Sequence, residues 1–194
     1  MSADRVIAID GPAGSGKSTV ARTVADKLHM AHLDTGAMYR GVAFAAIEAK
    51  IDLDDGDALD ALAARVEMFF DGDRIFVDGT DATEAIRGQA VSTAVSPVAT
   101  NAGVRAELVR RQRAWAAEHD GGVIEGRDIG TAMYPDAPEK VFLTATPDER
   151  ARRRAGETDG VDVEVLAGQI AEWPVPQLPK STVQFLWRQL IPAC

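Results

Sequence analysis

Apolar positions fall alternately into short unbroken runs and into helical spacing along most of the chain. Val6-Ile7-Ala8-Ile9 is a run of strand length, closed by Asp10. Past a glycine-rich stretch, Val20, Ala21, Val24 and Leu28 recur as one face of a helix that begins at Lys17. His32-Leu33-Asp34-Thr35-Gly36 predicts a second strand-to-helix passage, with its helix running through Val42 and Ile47. Leu53–Arg65 predicts a further helix. Val66–Phe70 and Arg74–Asp78 then read as two strands joined by the turn Asp71-Gly72-Asp73, a hairpin. Ala90–Ala99 and Val104–Glu118 are helical, the second studded with Arg105, Arg110, Arg111 and Arg113. Gly122–Glu125 and Lys140–Ala145 are two more short apolar strands, and a helix is expected from near Pro147.

Strands separated by helices imply an α/β fold with a parallel sheet and right-handed crossovers. Ligands of such sheets sit at the carboxyl ends of the strands. Gly11–Ser18, Asp34–Arg40 and Gly126–Asp128 all follow strands, so they are expected to converge on one cleft. The hairpin interrupts the alternation, as an inserted subdomain would. A length of 194 residues suits one domain with such an insert.

Composition narrows the function classes. A formal net charge of −9 excludes general attraction to nucleic acid or anionic membranes, so any phosphate binding must be local. The one cysteine, Cys194, leaves no disulfide framework. Val6–Ile9 is too short for a signal peptide's apolar core, and no run of bilayer-spanning length occurs. A cytoplasmic, soluble monomer is expected.

The glycine-rich stretch carries the first chemistry. Gly11-Pro12-Ala13-Gly14-Ser15-Gly16-Lys17-Ser18, followed by Thr19, is a complete phosphate-binding loop between a strand and a helix. Its glycines let backbone N–H groups face one concavity, and the helix N-terminus adds partial positive charge. Lys17 would reach the β- and γ-phosphates of ATP, and the Ser18 hydroxyl would ligate Mg²⁺. Asp34-Thr35-Gly36-Ala37-Met38-Tyr39-Arg40 places a hydroxyl, a ring and a guanidinium in one turn, and Asp34 or Thr35 could equally cap the helix. Arg127 and Asp128, flanked by glycines after a strand, are poorly explained by packing. Asp148-Glu149-Arg150-Ala151-Arg152-Arg153-Arg154 begins a helix whose charge order suits the helix dipole and also suits a lid over ATP.

Together these segments resemble a bacterial-type cytidylate kinase of the nucleoside monophosphate kinase family. The resemblance runs from about Val6 to about Ile170. It rests on Gly11–Thr19, Asp34–Arg40, Ser96 with Val104-Arg105 and Arg110–Arg113, Gly126–Thr131 with Pro135-Asp136-Ala137, and Glu149–Arg154. It implies a P-loop kinase three-layer fold, with a monophosphate-binding insert over about residues 53–100 and a lid over about 147–172. It also implies transfer of the γ-phosphoryl of ATP to CMP or dCMP. Thr35, Ser96, Arg105 and Asp128 would recognise cytosine and its sugar edge, and Arg40 and Arg127 would hold the monophosphate. Lys17 and Arg127, with lid arginines Arg150, Arg153 and Arg154, would neutralise charge on the transferred group. The attacking phosphate oxygen is already anionic, so no general base is required.

The pattern departs after about residue 172. The family's R-D-x-x-D-[ST]-x-R segment, final strand and helix give way to Trp173-Pro174-Val175-Pro176 and an apolar stretch over Thr182–Ile191. Residues 173–194 read as foreign to the fold, as after loss of the natural reading frame. That puts the sheet's last strand and efficient turnover in doubt. Alternatives are another small P-loop metabolite kinase, or a nucleotide-binding protein with little or no turnover. A GTPase switch would need an N-K-x-D segment, and none occurs.

Overall fold

A computed structural model describes residues 5–146 and the backbone of Val183–Phe185. The elements run β1 (Val6–Asp10), α1 (Lys17–Leu28), β2 (His32–Asp34), α2 (Thr35–Glu48), α3 (Gly56–Arg65), β3 (Met68–Asp71) and β4 (Arg74–Val77). They continue through β5 (Thr80–Asp81), α4 (Gln89–Thr100), α5 (Ala102–Glu118), β6 (Gly122–Gly126), β7 (Glu139–Leu143) and β8 (Val183–Phe185). The chain forms two compact units, Met1–Asp34 with Ala116–Cys194, and Thr35–Trp115.

The first unit is built on a parallel sheet of order β2-β6-β1-β7-β8. β1 and β6 are buried along their whole length and, Asp10 and Glu125 apart, carry no polar side chain, because helices cover such sheets and leave no polar face. Ile7, Ile9, Val123, Val141 and Leu143 are buried together with Val20, Ala21 and Val24 of α1. Burying a side chain of this size contributes about 1.5–3 kcal/mol.

The strand order puts the chain's chemistry at one end of this sheet. β1 lies between β6 and β7, and Asp10 is in register with Gly126 and Phe142. The phosphate loop therefore leaves the sheet beside the Gly126–Thr131 segment. The sheet's last strand, in doubt from the sequence, is present: β8 pairs in parallel with β7, Val183 opposite Val141. A parallel edge bonds through backbone amides, so Val183-Gln184-Phe185, two of its three residues β-branched or aromatic, can occupy it without the family motif. The expected helix from near Pro147, the 147–172 lid with Arg150, Arg153 and Arg154, and the rest of the 173–194 tail lie outside the described residues.

The second unit contains the expected insert. β3, β4 and β5 form an antiparallel sheet, with Phe69 opposite Phe76 and Asp71 opposite Arg74 across a turn at Gly72-Asp73. The short β5 has no apolar signature. A polar network holds it: Arg74 donates to Asp81 at 2.7 Å, and the Thr83 hydroxyl donates to Asp81 at 2.6 Å. Helix α3 starts at Gly56 rather than Leu53, because the Asp55 carboxylate accepts the Ala58 N–H and caps it there. Asn101 does the same for α5, accepting the Val104 N–H at 2.9 Å and starting the helix two residues before the expected Val104. Helix α2 packs on α3, α4 and β4, close enough that a side chain at Gly41 would meet the Met68 sulfur at 2.9 Å.

Candidate functional site

The loop between β1 and α1 adopts the left-handed turns its glycines allow. Gly14 has φ 78° and Gly16 has φ 85°, and Gly16 stands at the helix's N-cap position. Lys17 and Ser18 therefore occupy the first turn of α1, where the dipole and unpaired N–H groups favour an anion.

Two acidic residues that the sequence reading did not single out organise this end of the sheet. Asp10, the last residue of β1, is 6% exposed, and its carboxylate oxygens accept the N–H groups of Ile129 and Gly130, each at 2.8 Å. Burial pushes its carboxyl up from the ordinary value, and the two N–H bonds oppose that shift. Residues Ile129–Met133 form a single wide π-type turn in which the Tyr134 N–H reaches the Ile129 carbonyl at 2.7 Å. The Gly11 N–H donates to the Gly126 carbonyl at 3.3 Å, joining the start of the phosphate loop to the end of β6, three residues before this turn.

Glu125, 1% exposed on β6, is the other. Its Oε2 accepts the Ser18 hydroxyl at 2.8 Å, and its Oε1 lies 3.1 Å from His32 Nε2 on β2. A hydroxyl and a carboxylate are hard oxygen donors of the kind Mg²⁺ takes, and this cation is usually held by one or two protein groups with the rest supplied by phosphates and water. Ser18 beside Glu125 fits that requirement. No cluster of three or more metal-ligating residues occurs among the described residues, and that pattern does not call for one. A signal for both acids existed in the sequence: each closes or nearly closes an apolar strand run, where a charge has no packing role.

The remaining named residues divide between the units. Arg127 is exposed and Asp128 half-buried in the first unit, directly after β6. In the second, Thr35 is buried as the first residue of α2, Arg40 is half-buried on the same helix, Ser96 is exposed on α4 and Arg105 is half-buried on α5. Arg111 has a structural task. It donates to the carbonyls of Val66 at 2.6 Å and Ala63 at 2.8 Å, closing the C-terminal end of α3. Glu107 holds Arg110 and Arg111 at 2.7 Å, and its carboxyl is lowered to about 2, chiefly by the Arg110 bond. A groove of about 770 Å³ in this unit is lined by Val66, Met68, Phe69, Phe76 and Arg111, and includes none of the residues named for nucleotide binding.

The family model described as cytidylate kinase matches residues 7–172. The chain is 51% identical over 176 residues to a cytidylate kinase of Pelotomaculum thermopropionicum, covering 86% of this chain and 77% of that protein. It is 47% identical over 173 residues to a cytidylate kinase of Bacillus subtilis, covering 85% and 77%. A bifunctional pantoate ligase/cytidylate kinase of Synechococcus is 49% identical over 179 residues, and there the match spans 33% of the longer protein.

Proposed function

This chain belongs to the cytidylate kinase family, and we propose that it transfers the γ-phosphoryl group of ATP to CMP or dCMP, giving ADP and CDP or dCDP. The observation that carries this reading is the joining of the phosphate loop to the Gly126–Thr131 turn through Asp10 and Gly11, within a chain matched by the family over residues 7–172.

The roles follow from the chemistry of each group. Loop amides and Lys17 hold the β- and γ-phosphates of ATP. Ser18, beside Glu125, would hold Mg²⁺, which when bound would supply charge neutralisation to the nucleotide's phosphates. Arg40 and Arg127 hold the monophosphate by charge-assisted bonds, which leaves an anionic oxygen to attack in line. Asp128 accepts the exocyclic amine of cytosine, while Thr35, Ser96 and Arg105 complete recognition of the base and sugar edge. A uracil would turn a carbonyl oxygen toward Asp128, and that repulsion sets specificity. Arg150, Arg153 and Arg154 close over the transferred group and exclude water. The reaction runs in the cytoplasm on a monomer.

A second reading is favoured by one feature, the absence from residues 173–194 of the R-D-x-x-D-[ST]-x-R segment. It is a protein that binds nucleotide with little turnover. A coupled assay with ATP, Mg²⁺ and CMP, dCMP, UMP or AMP separates the two. Turnover of CMP near the ~1–100 s⁻¹ usual for kinases supports the transferase. Tight ATP binding with no turnover of any monophosphate refutes it. Asp128→Ala should erode the preference for CMP over UMP, and equal loss with both acceptors would remove Asp128 from base reading.

A further inference from the structure

Asp10 is a carboxylate placed where a strand core would ordinarily take an aliphatic side chain. Ile7 and Ile9 beside it are 2% and 0% exposed, and Asp10 itself is 6% exposed. Burying a charge there is costly unless it is fully bonded. Both oxygens are bonded, and both to backbone N–H groups of one turn, Ile129 and Gly130 at 2.8 Å each. Those two residues directly follow Arg127 and Asp128. Asp128 is the hinge of this turn: its carbonyl accepts the Ala132 N–H at 2.8 Å and the Met133 N–H at 3.3 Å.

We infer that Asp10 is a positioning residue for acceptor selection. It clamps the Ile129–Gly130 amides so that Asp128 is presented at a fixed height beside the phosphate loop, and it discriminates cytosine from uracil through Asp128 without touching either. The inference rests on the reading of Asp128 as the base-contacting carboxylate. Its physical content is the pairing of two donors with two acceptors. Asparagine at residue 10 keeps the shape but aims an NH₂ at one of the two N–H groups, so one bond becomes a repulsion and the turn must shift. Gly130 offers an independent handle. A Cβ there would press on the Lys140 side chain, 3.1 Å from Cδ and 3.2 Å from Cγ, and touch Asp10 Oδ2 at 3.4 Å, so it disturbs the clamp's second donor residue without removing the buried carboxylate.

The test measures kcat/KM for CMP and for UMP, together with the dissociation constant for ATP, in the full chain. Asp10→Asn should lower the CMP:UMP ratio by about tenfold or more, since small misplacements at a reacting site are costly, while ATP affinity holds. Gly130→Ala should lower the ratio in the same direction by less. In an Asp128→Ala background, Asp10→Asn should lower the ratio no further. A merely structural role would depress both acceptors and ATP binding together and leave the ratio unmoved, which overturns the inference. If Asp10→Asn does not fold, Gly130→Ala decides by the same ratio. A ratio unchanged in Asp128→Ala overturns the Asp128 reading and this inference with it. A ratio lost in Asp128→Ala but kept in Asp10→Asn and Gly130→Ala overturns this inference alone.

Discussion

The two ends of the central sheet treat buried carboxylates in opposite ways. At the carboxyl ends of β1 and β6, Asp10 gives its oxygens to the Ile129 and Gly130 amides, and Glu125 receives Ser18 and His32. At the amino end of β7, Glu139 is 2% exposed, in register with Ile7, and no group among the described residues hydrogen-bonds its Oε1. Burial pushes the carboxyl up at both Asp10 and Glu139, but only Asp10 has N–H bonds opposing the shift. The desolvation penalty at the carboxyl ends is thus offset by contacts that also hold the loops. At the amino end it stands alone. Replacing the acids should therefore damage function at one end and relieve strain on stability at the other.

The largest effect expected at the functional end comes from its cation. Lys17→Ala should cut kcat with CMP by about 10²–10³-fold or more, because it removes charge stabilisation from the transferred phosphoryl, whatever the acceptor. Steady-state kinetics with CMP and UMP should show the same loss for both. Selective loss with CMP would move Lys17 from donor to acceptor binding.

Glu125 sharpens the contrast at intermediate size. It orients the Ser18 hydroxyl, so Glu125→Ala should weaken ATP binding by about 10–100-fold in the presence of Mg²⁺, in the range for groups that orient metal ligands. Binding measured in EDTA should barely change. Glu125→Gln keeps an oxygen for Ser18, and a change of His32 tautomer can accommodate its amide, so this variant should retain much of the affinity. Calorimetric titration with and without the metal reads both variants. Equal weakening in EDTA would make Glu125 a packing residue.

The same ends differ in how legible they were. The phosphate loop, the α/β alternation and the hairpin are local patterns: fixed glycines, apolar runs and a turn each reveal themselves within a few residues. The Gly11–Ser18 motif and the Arg127-Asp128 pair after β6 stand out in the sequence for that reason. Asp10 and Glu125 carry only a weak local signal, because the partners that give them meaning lie 93 to 120 residues away and a terminal acid on a strand looks like the start of a loop. The three-residue β8 carries too short a signal to read, and β5 depends on the Arg74–Asp81–Thr83 network rather than on apolar alternation. Nor does the sequence separate Arg111 from the other arginines that stud α5; its bonds to the carbonyls of Ala63 and Val66 appear only once the helices pack.

The smallest expected effect lies at the amino end, and its sign is the informative part. Glu139 has its carboxyl raised by burial from an ordinary 4.5. Its stabilising contribution is fully present below pH 4.5, where folded and unfolded chains both hold the proton. It is lost as pH rises through the higher folded value, because the unfolded chain ionises first. Glu139→Gln removes that loss while keeping nearly the same volume. The variant should melt with the wild type near pH 4 and above it at pH 7, by about 2–4 °C for each kcal/mol recovered in a chain of this size. Phosphoryl transfer should not change, since Glu139 starts β7 at the end of the sheet opposite the phosphate loop. A lower melting temperature at pH 7 would mean that the carboxylate has a partner that stabilises its charge, and the two ends would then be alike.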